Sequence, residues 1–261
     1  MIKLENYEVM GWEHAIRGMR NPMNSWAKSD SVFKETAQTE ELLPDNRVEK
    51  LFVQFDALAL GQNDYDLAMK LANAGPVHGK FRRMITVYVD ITAPLYWWKE
   101  FDTYKVGTVA NSCSTMHKIH EKEFTLEDFS HDHLIEFWRE TDSSLYMNDN
   151  GEYTFTKHPI IISGDNQFYG PSGVLKFNIE MLNKCRDLYL ETKDKKYWWQ
   201  MIQLLPSSYN QKRTVQLNYE VLAGIYKYRK DHKLDEWREF CKWIEQLPYS
   251  EIITGGNENG K

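Results

Sequence analysis

The stretch RRMITVYVDITAPLYWWKEFDTYKVGTVANSCSTMHK, residues 82–118, joins the clearest strand pattern of the chain to its most aromatic segment. Residues 82–92 are rich in β-branched side chains that alternate in character, which predicts a strand. Pro94 suits the first turn of a helix over 94–104, and Gly107 is placed to end it. This part of the sequence therefore predicts a strand that leads directly into a helix.

The polar half of the same stretch follows the aromatic block and contains Asn111, Ser112, Ser114, Thr115 and His117. Side chains of this kind cap helices and form tight turns. They also supply the hydrogen bonds that orient a ligand. Two interpretations follow for the polar run, a capped turn inside the fold or the floor of a binding site.

The flanking sequence predicts few strands and many helices. Before the central stretch we expect a strand over 2–9, a short helix over 11–20 and a helix over 64–74 capped by Asp64. After it we expect a hairpin over 146–162 and helices over 172–192, 194–205, 214–231 and 233–247. The sum is an α+β, helix-dominated single domain over residues 1–250 with a small mixed or antiparallel sheet, followed by a disordered tail over 251–261.

Composition excludes several classes of protein. The 261 residues carry a net charge of −6, which argues against general nucleic-acid binding or attraction to an anionic membrane. No segment has the length and apolarity of a membrane span. The three cysteines are widely spaced, and the N-terminal sequence lacks the basic start and apolar run of a signal peptide. We therefore expect a cytoplasmic protein.

Metal and nucleophile chemistry have weak support in the sequence. Zinc sites in proteins have defined Cys and His spacings that are absent here, so we predict no metal site. The candidate ligands within 21 residues are Cys113, His117, His120, His131 and His133. Cys113 lacks a nucleophile signature, and a small buried cysteine is the favoured interpretation. The two Tyr-Trp-Trp runs, 96–98 and 197–199, are interpreted as core, with ring stacking on a ligand as the alternative.

The segment QKRTVQLNYEVLAGIYKYRKDHK, residues 211–233, is more informative. On a continuous helix Asn218 and Arg229 point in directions within about 20° of each other, because they are eleven residues apart. An amide and a guanidinium on one face suit a phosphate-bearing ligand. A solvated face with an ion pair is the alternative.

Taken together, these segments resemble the flavin-dependent thymidylate synthases. The family's motif R-H-R-x7-S-x-R-Y has an inner Asn and Ser, and Asn111 and Ser114 match its N-x-x-S, while Tyr104-Lys105-Val106 stands where R-H-R occurs. GPVHGKF (75–81) is similar to the family's histidine-bearing turn. LNYEVLAGIYKYR (217–229) is similar to a family helix, with Glu220 in place of an arginine. The order of segments agrees over about 60–120 and 200–245, and residues 121–199 would include an insertion.

The resemblance implies a divergent enzyme with a degraded signature motif. Its reaction would be reductive methylation of dUMP or a related pyrimidine nucleotide, with FAD as cofactor and NADPH and methylenetetrahydrofolate as co-substrates. It implies a homo-oligomer, a homotetramer in this family, and assigns no catalytic residue. The implied nucleotide-binding residues are Asn111, Ser114 and Arg229, and the implied cofactor-binding residues are His78, Lys105 and Asn218. The alternative is a catalytically inactive protein of the same fold that serves as a nucleotide-binding or protein-interaction module.

Overall fold

The computed structural model describes residues 2–33, 37–42, 48–53, 58–135, 146–147, 153–154 and 170–255. The helices are α1 (Trp12–Arg20), α2 (Gln62–Asn73), α3 (Leu95–Phe101), α4 (Gly170–Thr192), α5 (Lys195–Leu204), α6 (Tyr219–Arg229), α7 (Asp235–Ile244) and α8 (Glu251–Thr254). The strands are β1 (Lys3–Met10), β2 (Val32–Phe33), β3 (Ala37–Leu42), β4 (Val48–Val53), β5 (Leu58–Ala59), β6 (Thr86–Pro94), β7 (Val109–Ser112), β8 (Tyr146–Met147), β9 (Tyr153–Thr154) and β10 (Asn210–Asn218).

The main sheet has four strands in the order β1-β6-β10-β7, and β1 runs antiparallel to β6. Val87, Val89 and Ile91 of β6 are buried, because alternate side chains of a strand point to the same face. The pairing of β1 with β6 shifts register between Glu5 and Glu8. The predicted helix-rich α+β fold with a small antiparallel sheet is therefore confirmed.

The chain divides into two compact units. The sheet unit comprises Ile2–Thr92, Phe101–Asn111 and Arg213–Lys261, and the α4–α5 unit comprises Ala93–Glu100 and Ser112–Lys212. The predictions of a single domain over 1–250 and of an insertion over 121–199 stay predictions.

The core of the sheet unit is built from the sheet and the helices α6, α7 and α8. Leu222 and Ile225 of α6 and Phe240 of α7 are fully buried. Tyr219, at the start of α6, donates from its hydroxyl to the carbonyl oxygen of Pro248 at 2.6 Å, and its ring lies edge-on to Trp12. These contacts fix the direction in which α6 leaves β10.

A buried ion pair ties α1 to α2 in the sheet unit. Arg20 Nε donates to Asp64 Oδ1 at 2.5 Å, and the two side chains are 4% and 0% exposed. The second carboxylate oxygen of Asp64 accepts from the hydroxyls of Ser29 and Ser31. Burial raises the pKa of Asp64, but the hydrogen bonds from Ser31, Ser29 and Arg20 and the charge of Arg20 outweigh it, so the pKa lies below the ordinary 3.8. Asp64 is thus a structural residue in the first turn of α2, and the predicted helix cap is wrong because Gly61 takes that position.

The α4–α5 unit has its own core between the two helices that name it. Leu182 of α4 and Met201 of α5 are fully buried, with Phe124 and Phe129 of the preceding segment packed beside them. Trp98, in the same unit, is buried and donates to the carbonyl oxygen of Gln211 at 2.9 Å. Trp97 and Trp98 of the first Tyr-Trp-Trp run are therefore core, as predicted, whereas the prediction is wrong for Trp199 of the second run, which is 43% exposed.

Three local predictions are wrong. Residues 214–218 form the end of β10 rather than the start of a helix, because Val215 and Leu217 are both buried on one face of the strand. Pro94 ends β6 instead of opening α3. The predicted disordered tail is wrong for Glu251–Thr254, which form α8 with two buried isoleucines, and residues 256–261 lie outside the described residues.

The hairpin predicted over 146–162 is confirmed in its first half, where Tyr146 pairs with Thr154 in the antiparallel pair β8 and β9. The rest of that range lies outside the described residues. Among the described helices none is long and apolar enough to span a bilayer.

Candidate functional site

The candidate site in the sheet unit is the loop Asp102–Thr108, between α3 and β7, where it lies along α6. One end of the loop touches the last residue of α6, since Tyr104 contacts Arg229. The other end approaches the first turn of α6, where Gly107 lies beside Asn218 and Val221. The sequence following α3 is therefore held along the length of α6.

At the N-terminal end of α6, Asn218 caps the helix. Its Oδ1 accepts from the backbone N–H groups of Glu220 and Val221, both at 3.1 Å. Gly107 has a φ of +78°, and a Cβ there would stand 3.0 Å from Asn218 Nδ2 and 3.1 Å from Val221 Cγ2. Glycine thus permits both the left-handed backbone and the close approach of the loop. The predicted helix stop at Gly107 is wrong, because α3 already ends at Phe101.

At the C-terminal end of α6, Arg229 is enclosed by aromatic rings. Its Nε donates to the hydroxyl oxygen of Tyr104 at 3.0 Å, and its guanidinium carbon lies 4.8 Å from the ring centroid of Trp237 and 5.8 Å from that of Tyr104. Both distances fall within the range of cation–π contact. The Tyr104 ring also lies edge-on to Trp237, with centroids 6.0 Å apart.

His232 completes this cluster. Arg229 Nη1 lies 3.0 Å from His232 Nε2, and the backbone N–H of Leu234 lies 3.2 Å from Nδ1. Arginine and the backbone N–H both donate, and a neutral imidazole has one acceptor nitrogen, so each tautomer of His232 accepts in one of these two contacts. The cluster therefore holds the guanidinium of Arg229 by polar and ring contacts within the sheet unit.

Two arginines of the sheet unit, Arg82 and Arg213, have acidic partners. Arg82 places Nε 2.7 Å and Nη2 2.6 Å from Glu220 Oε2, and its Nη1 donates to the carbonyl oxygen of Ile252 at 3.2 Å. Arg213 Nη1 donates to Asp102 Oδ1 at 2.8 Å. Glu220, which stands where the family has an arginine, is thus part of an ion pair that ties α6 to the segment before β6.

The predicted residues of the sheet unit lie in different settings. His78 is exposed at the start of the 3-10 helix Gly79–Met84, Lys105 is exposed in the loop, and Asn111 is exposed in β7. Asn218 and Arg229 are partly buried and hold α6 and the loop. The structure therefore brings the loop together with Asn218 and Arg229.

Ser114 lies in the α4–α5 unit and is exposed. Its Oγ accepts from the backbone N–H groups of Met116 at 3.2 Å and His117 at 2.9 Å, which makes it the first residue of a turn. Cys113 is also exposed, so the prediction of a buried cysteine is wrong. Its backbone amide donates to the carbonyl oxygen of Lys212 at 2.9 Å, which keeps the residue at a strand edge rather than in the core.

Three residues of the cluster were missed in the sequence. The resemblance identifies Tyr104 only as the residue in place of the motif's first arginine, and it assigns no role to His232 or Trp237. A histidine three positions and a tryptophan eight positions after a helix-ending arginine are the available signal. It is weak, because neither a histidine nor a tryptophan at that spacing requires contact.

Strongly raised pKa values belong to Tyr219 and Cys241, which are buried, and to Tyr226, which is half-buried. Burial raises the pKa of the Cys241 thiol to about 12, and burial together with the hydrogen bond to Glu245 raises that of Tyr226 to about 12. Both groups are protonated near neutral pH, so neither is poised as a nucleophile or base. Within the part of the chain that the structure describes, no group of three His, Cys, Asp or Glu side chains could hold a metal ion.

No protein-family model and no curated protein sequence matches the chain. Solved structures do match: a flavin-dependent thymidylate synthase, ThyX, from Helicobacter pylori in complex with FAD and dUMP aligns with a TM-score of 0.55 and 15% identity, over 96% of this chain and 95% of that chain. A second structure of ThyX from the same organism with FAD and dUMP has a TM-score of 0.55 and 16% identity, over 96% of this chain and 94% of that one. At this identity the likeness shows a common fold.

Proposed function

We propose that the chain is a divergent flavin-dependent thymidylate synthase-like protein that binds FAD and performs reductive methylation of dUMP or a related pyrimidine nucleotide. The observation that carries this proposal is the fold match over 96% of the chain to proteins crystallised with FAD and dUMP. NADPH and methylenetetrahydrofolate would be the co-substrates. The flavin would supply the hydride chemistry, and the chain would supply binding and orientation.

The donors of the sheet unit are compatible with phosphate-bearing ligands. Lys105 carries an exposed cation in the loop that Gly107 holds against α6, and the exposed Asn111 adds an amide. His78 offers a further ring nitrogen. In the proposal Lys105, His78 and Asn218 contribute to FAD binding, and Asn111, Ser114 and Arg229 contribute to nucleotide binding.

A second candidate function is a catalytically inactive protein of this fold that binds a nucleotide or a protein partner. Arg82 is paired with Glu220, Arg213 with Asp102, and Arg229 is held by Tyr104. A charge-assisted hydrogen bond contributes about 1.5–3 kcal/mol, so arginines held in this way weaken the site for phosphates. This observation favours the catalytically inactive protein over the flavin-dependent enzyme.

One experiment separates the two candidates. The purified protein is incubated with excess FAD and desalted, its absorbance is scanned for a flavin band that is released on denaturation, and dUMP binding is measured by calorimetry. Retained FAD together with dUMP binding supports the flavoprotein. Binding of dUMP without FAD supports the inactive nucleotide-binding protein, and binding of neither ligand contradicts both nucleotide functions.

A matched pair of lysine variants tests the site. Lys105→Ala is expected to lower affinity for FAD, with the melting temperature unchanged because the side chain is exposed. Lys70→Ala, an exposed lysine on α2, serves as control and should leave FAD affinity unchanged. Equal effects of the two substitutions would exclude a specific role for Lys105.

The proposal also includes an oligomeric assembly and a cellular location. A homo-oligomer, a tetramer by resemblance, is tested by light scattering of the purified protein during size-exclusion chromatography. A cytoplasmic location is supported by the three free cysteines Cys113, Cys185 and Cys241. Fractionation of cells that express the chain tests the location.

A further inference from the structure

The start of α5 and the end of α4, in the α4–α5 unit, carry lysines that lie over aromatic rings. Lys195 Nζ lies 5.7 Å from the ring centroid of Trp198 and 5.6 Å from that of Trp199. The other pairs are Lys196 over Tyr197 at 4.7 Å and Lys193 over Tyr189 at 6.0 Å. We call this the Lys–Trp surface, and its residues are Tyr189, Lys193, Lys195, Lys196, Tyr197, Trp198 and Trp199.

The rings of this surface differ in how firmly they are held. Trp198 packs against the core of the unit, and its Nε1 donates to the carbonyl oxygen of Met116 at 3.0 Å. Trp199 lies edge-on to it, with centroids 4.9 Å apart, and is 43% exposed. An exposed tryptophan beside an anchored one provides a rigid planar face at the surface.

The Lys–Trp surface carries positive charge beside its aromatic rings. Lys196 has a carboxylate partner in Asp194 at 3.0 Å. Lys193 and Lys195 have no carboxylate within ion-pair distance among the described residues, and both are exposed. Glu191 is the other acidic residue of this turn. One unneutralised ammonium group, that of Lys195, therefore stands beside the tryptophan rings, and a second, that of Lys193, stands beside Tyr189.

The backbone at Lys193 adds a third observation. Its φ is +56°, a left-handed conformation that follows the last turn of α4 and is usually taken by glycine at the end of a helix. A lysine in this conformation is less stable than glycine by roughly 1 kcal/mol. The chain therefore has a lysine at a position where glycine would make the folded state more stable.

We propose that the Lys–Trp surface binds single-stranded nucleic acid. Exposed rings stack on unpaired bases, and lysines contact the phosphates that separate them, which is how single strands are bound without sequence preference. A duplex hides its bases and offers no face to Trp199. This interaction uses residues other than those proposed to bind FAD and dUMP.

The strength of this interaction depends on the charges of the Lys–Trp surface rather than on the net charge of the protein. The whole protein carries −6, so there is no long-range attraction to a polyanion, and binding depends on the local surface alone. The expected dissociation constant at low salt lies between about 1 and 100 μM, with strong weakening as salt rises. The proposal therefore departs from the prediction of no general nucleic-acid binding, which rested on the net charge of the whole chain.

The test measures fluorescence anisotropy of a labelled twelve-residue oligothymidylate titrated with the full-length protein in 50 mM salt. A saturable rise below about 100 μM is expected, and its absence overturns the proposal. A hairpin DNA duplex with the same charge as the oligothymidylate should bind more weakly than the oligothymidylate. Equal binding of the duplex, or displacement of the oligonucleotide by an acidic peptide of equal charge, would identify an anion surface or protein-binding surface instead and also overturn the proposal.

Substitutions separate stacking from charge. Trp199→Ala should weaken binding by about tenfold or more, because a stacked base contributes on that scale. Lys195→Ala should lower the salt slope by about 0.7, the value for one phosphate contact on a single strand. Tyr228→Ala is the matched control, since Tyr228 is also exposed and lies under a lysine, Lys227, but belongs to the sheet unit. An equal loss in the control contradicts the assignment.

The substitution Lys193→Gly separates a role of Lys193 in binding from a role in stability. The melting temperature should rise, because glycine adopts the left-handed backbone without strain, while affinity for the oligonucleotide should fall several-fold through loss of a phosphate contact. A rise in stability without a loss of affinity would remove Lys193 from the surface. FAD and dUMP binding of each variant should remain as in the unsubstituted protein.

Discussion

Arg229 donates from Nε to the hydroxyl oxygen of Tyr104 at 3.0 Å, so the last residue of α6 holds the loop that follows α3. Tyr104 stands where the thymidylate synthase motif has its first arginine, and Arg229 is the residue that the resemblance assigns to the nucleotide. The two positions are therefore joined to each other in this structure. Arg229 supports the loop that presents Lys105.

The hydrogen bond between Arg229 and Tyr104 should be measurable as a coupling energy. In a double-mutant cycle of Tyr104→Phe and Arg229→Gln, we expect a coupling of about 1 kcal/mol in the free energy of unfolding, because a phenolic acceptor and a charged donor are both removed. Urea unfolding of the four proteins gives the value. Strict additivity of the two substitutions would show that the contact contributes nothing to stability.

Gly107 should be sensitive to a single methyl group. Gly107→Ala places a Cβ at 3.0–3.1 Å from Asn218 and Val221 at a φ of +78°, so we expect a loss of about 1–3 kcal/mol in unfolding free energy. Gly224→Ala is the control, since a Cβ there meets nothing within 4 Å and α6 should gain about 0.5–1 kcal/mol. Thermal unfolding should therefore shift in opposite directions for the two variants, and a common direction would contradict the packing of the loop on α6.

The sequence predicted a secondary-structure element correctly where one local pattern is enough to select it. Alternation predicted β6, and apolar spacing predicted α4, because burial of one face is enough to select each element. It failed at 214–218, where a helical sequence continues a strand in register with its neighbours in the sheet. Pairing with a distant strand overrides local preference there.

The candidate site was also predicted only in part, because local sequence patterns do not specify its side-chain contacts. The sequence placed Asn218 and Arg229 on one face of a helix, but Asn218 ends a strand and caps α6, so its amide oxygen is used by the backbone. The pairing of Glu220 with Arg82 joins residues 138 positions apart, and no local pattern announces it. Side-chain partners of this kind depend on the tertiary fold rather than on spacing.

The three thiols should differ in reactivity. Cys113 is exposed, whereas Cys185 and Cys241 are buried and burial raises the pKa of both thiols, that of Cys241 to about 12. A thiol reagent at pH 8 should therefore modify one cysteine in the folded protein and three after denaturation, as counted by mass spectrometry. In Cys113→Ser the rapid modification should disappear. Rapid modification of Cys241 in the folded state would contradict its burial.

The buried pair of Arg20 and Asp64 should dominate stability toward acid. Asp64→Asn leaves the charge of Arg20 buried without its partner, and we expect a loss of about 3–5 kcal/mol in unfolding free energy. Asp66→Asn, an exposed carboxylate on the same helix, is the control and should change stability by less than about 0.5 kcal/mol.

The pH dependence of the same pair follows from the sign of its pKa shift. The folded pKa of Asp64 lies below the ordinary 3.8, so the folded state releases this proton more readily than the unfolded state. The stability it contributes is therefore present above about pH 4 and is lost as pH falls through the folded pKa. Urea unfolding at stepped pH should show the unsubstituted protein losing stability below pH 4 more steeply than Asp64→Asn. Parallel acid profiles for the two proteins would show that the pKa of Asp64 is not lowered in the folded state.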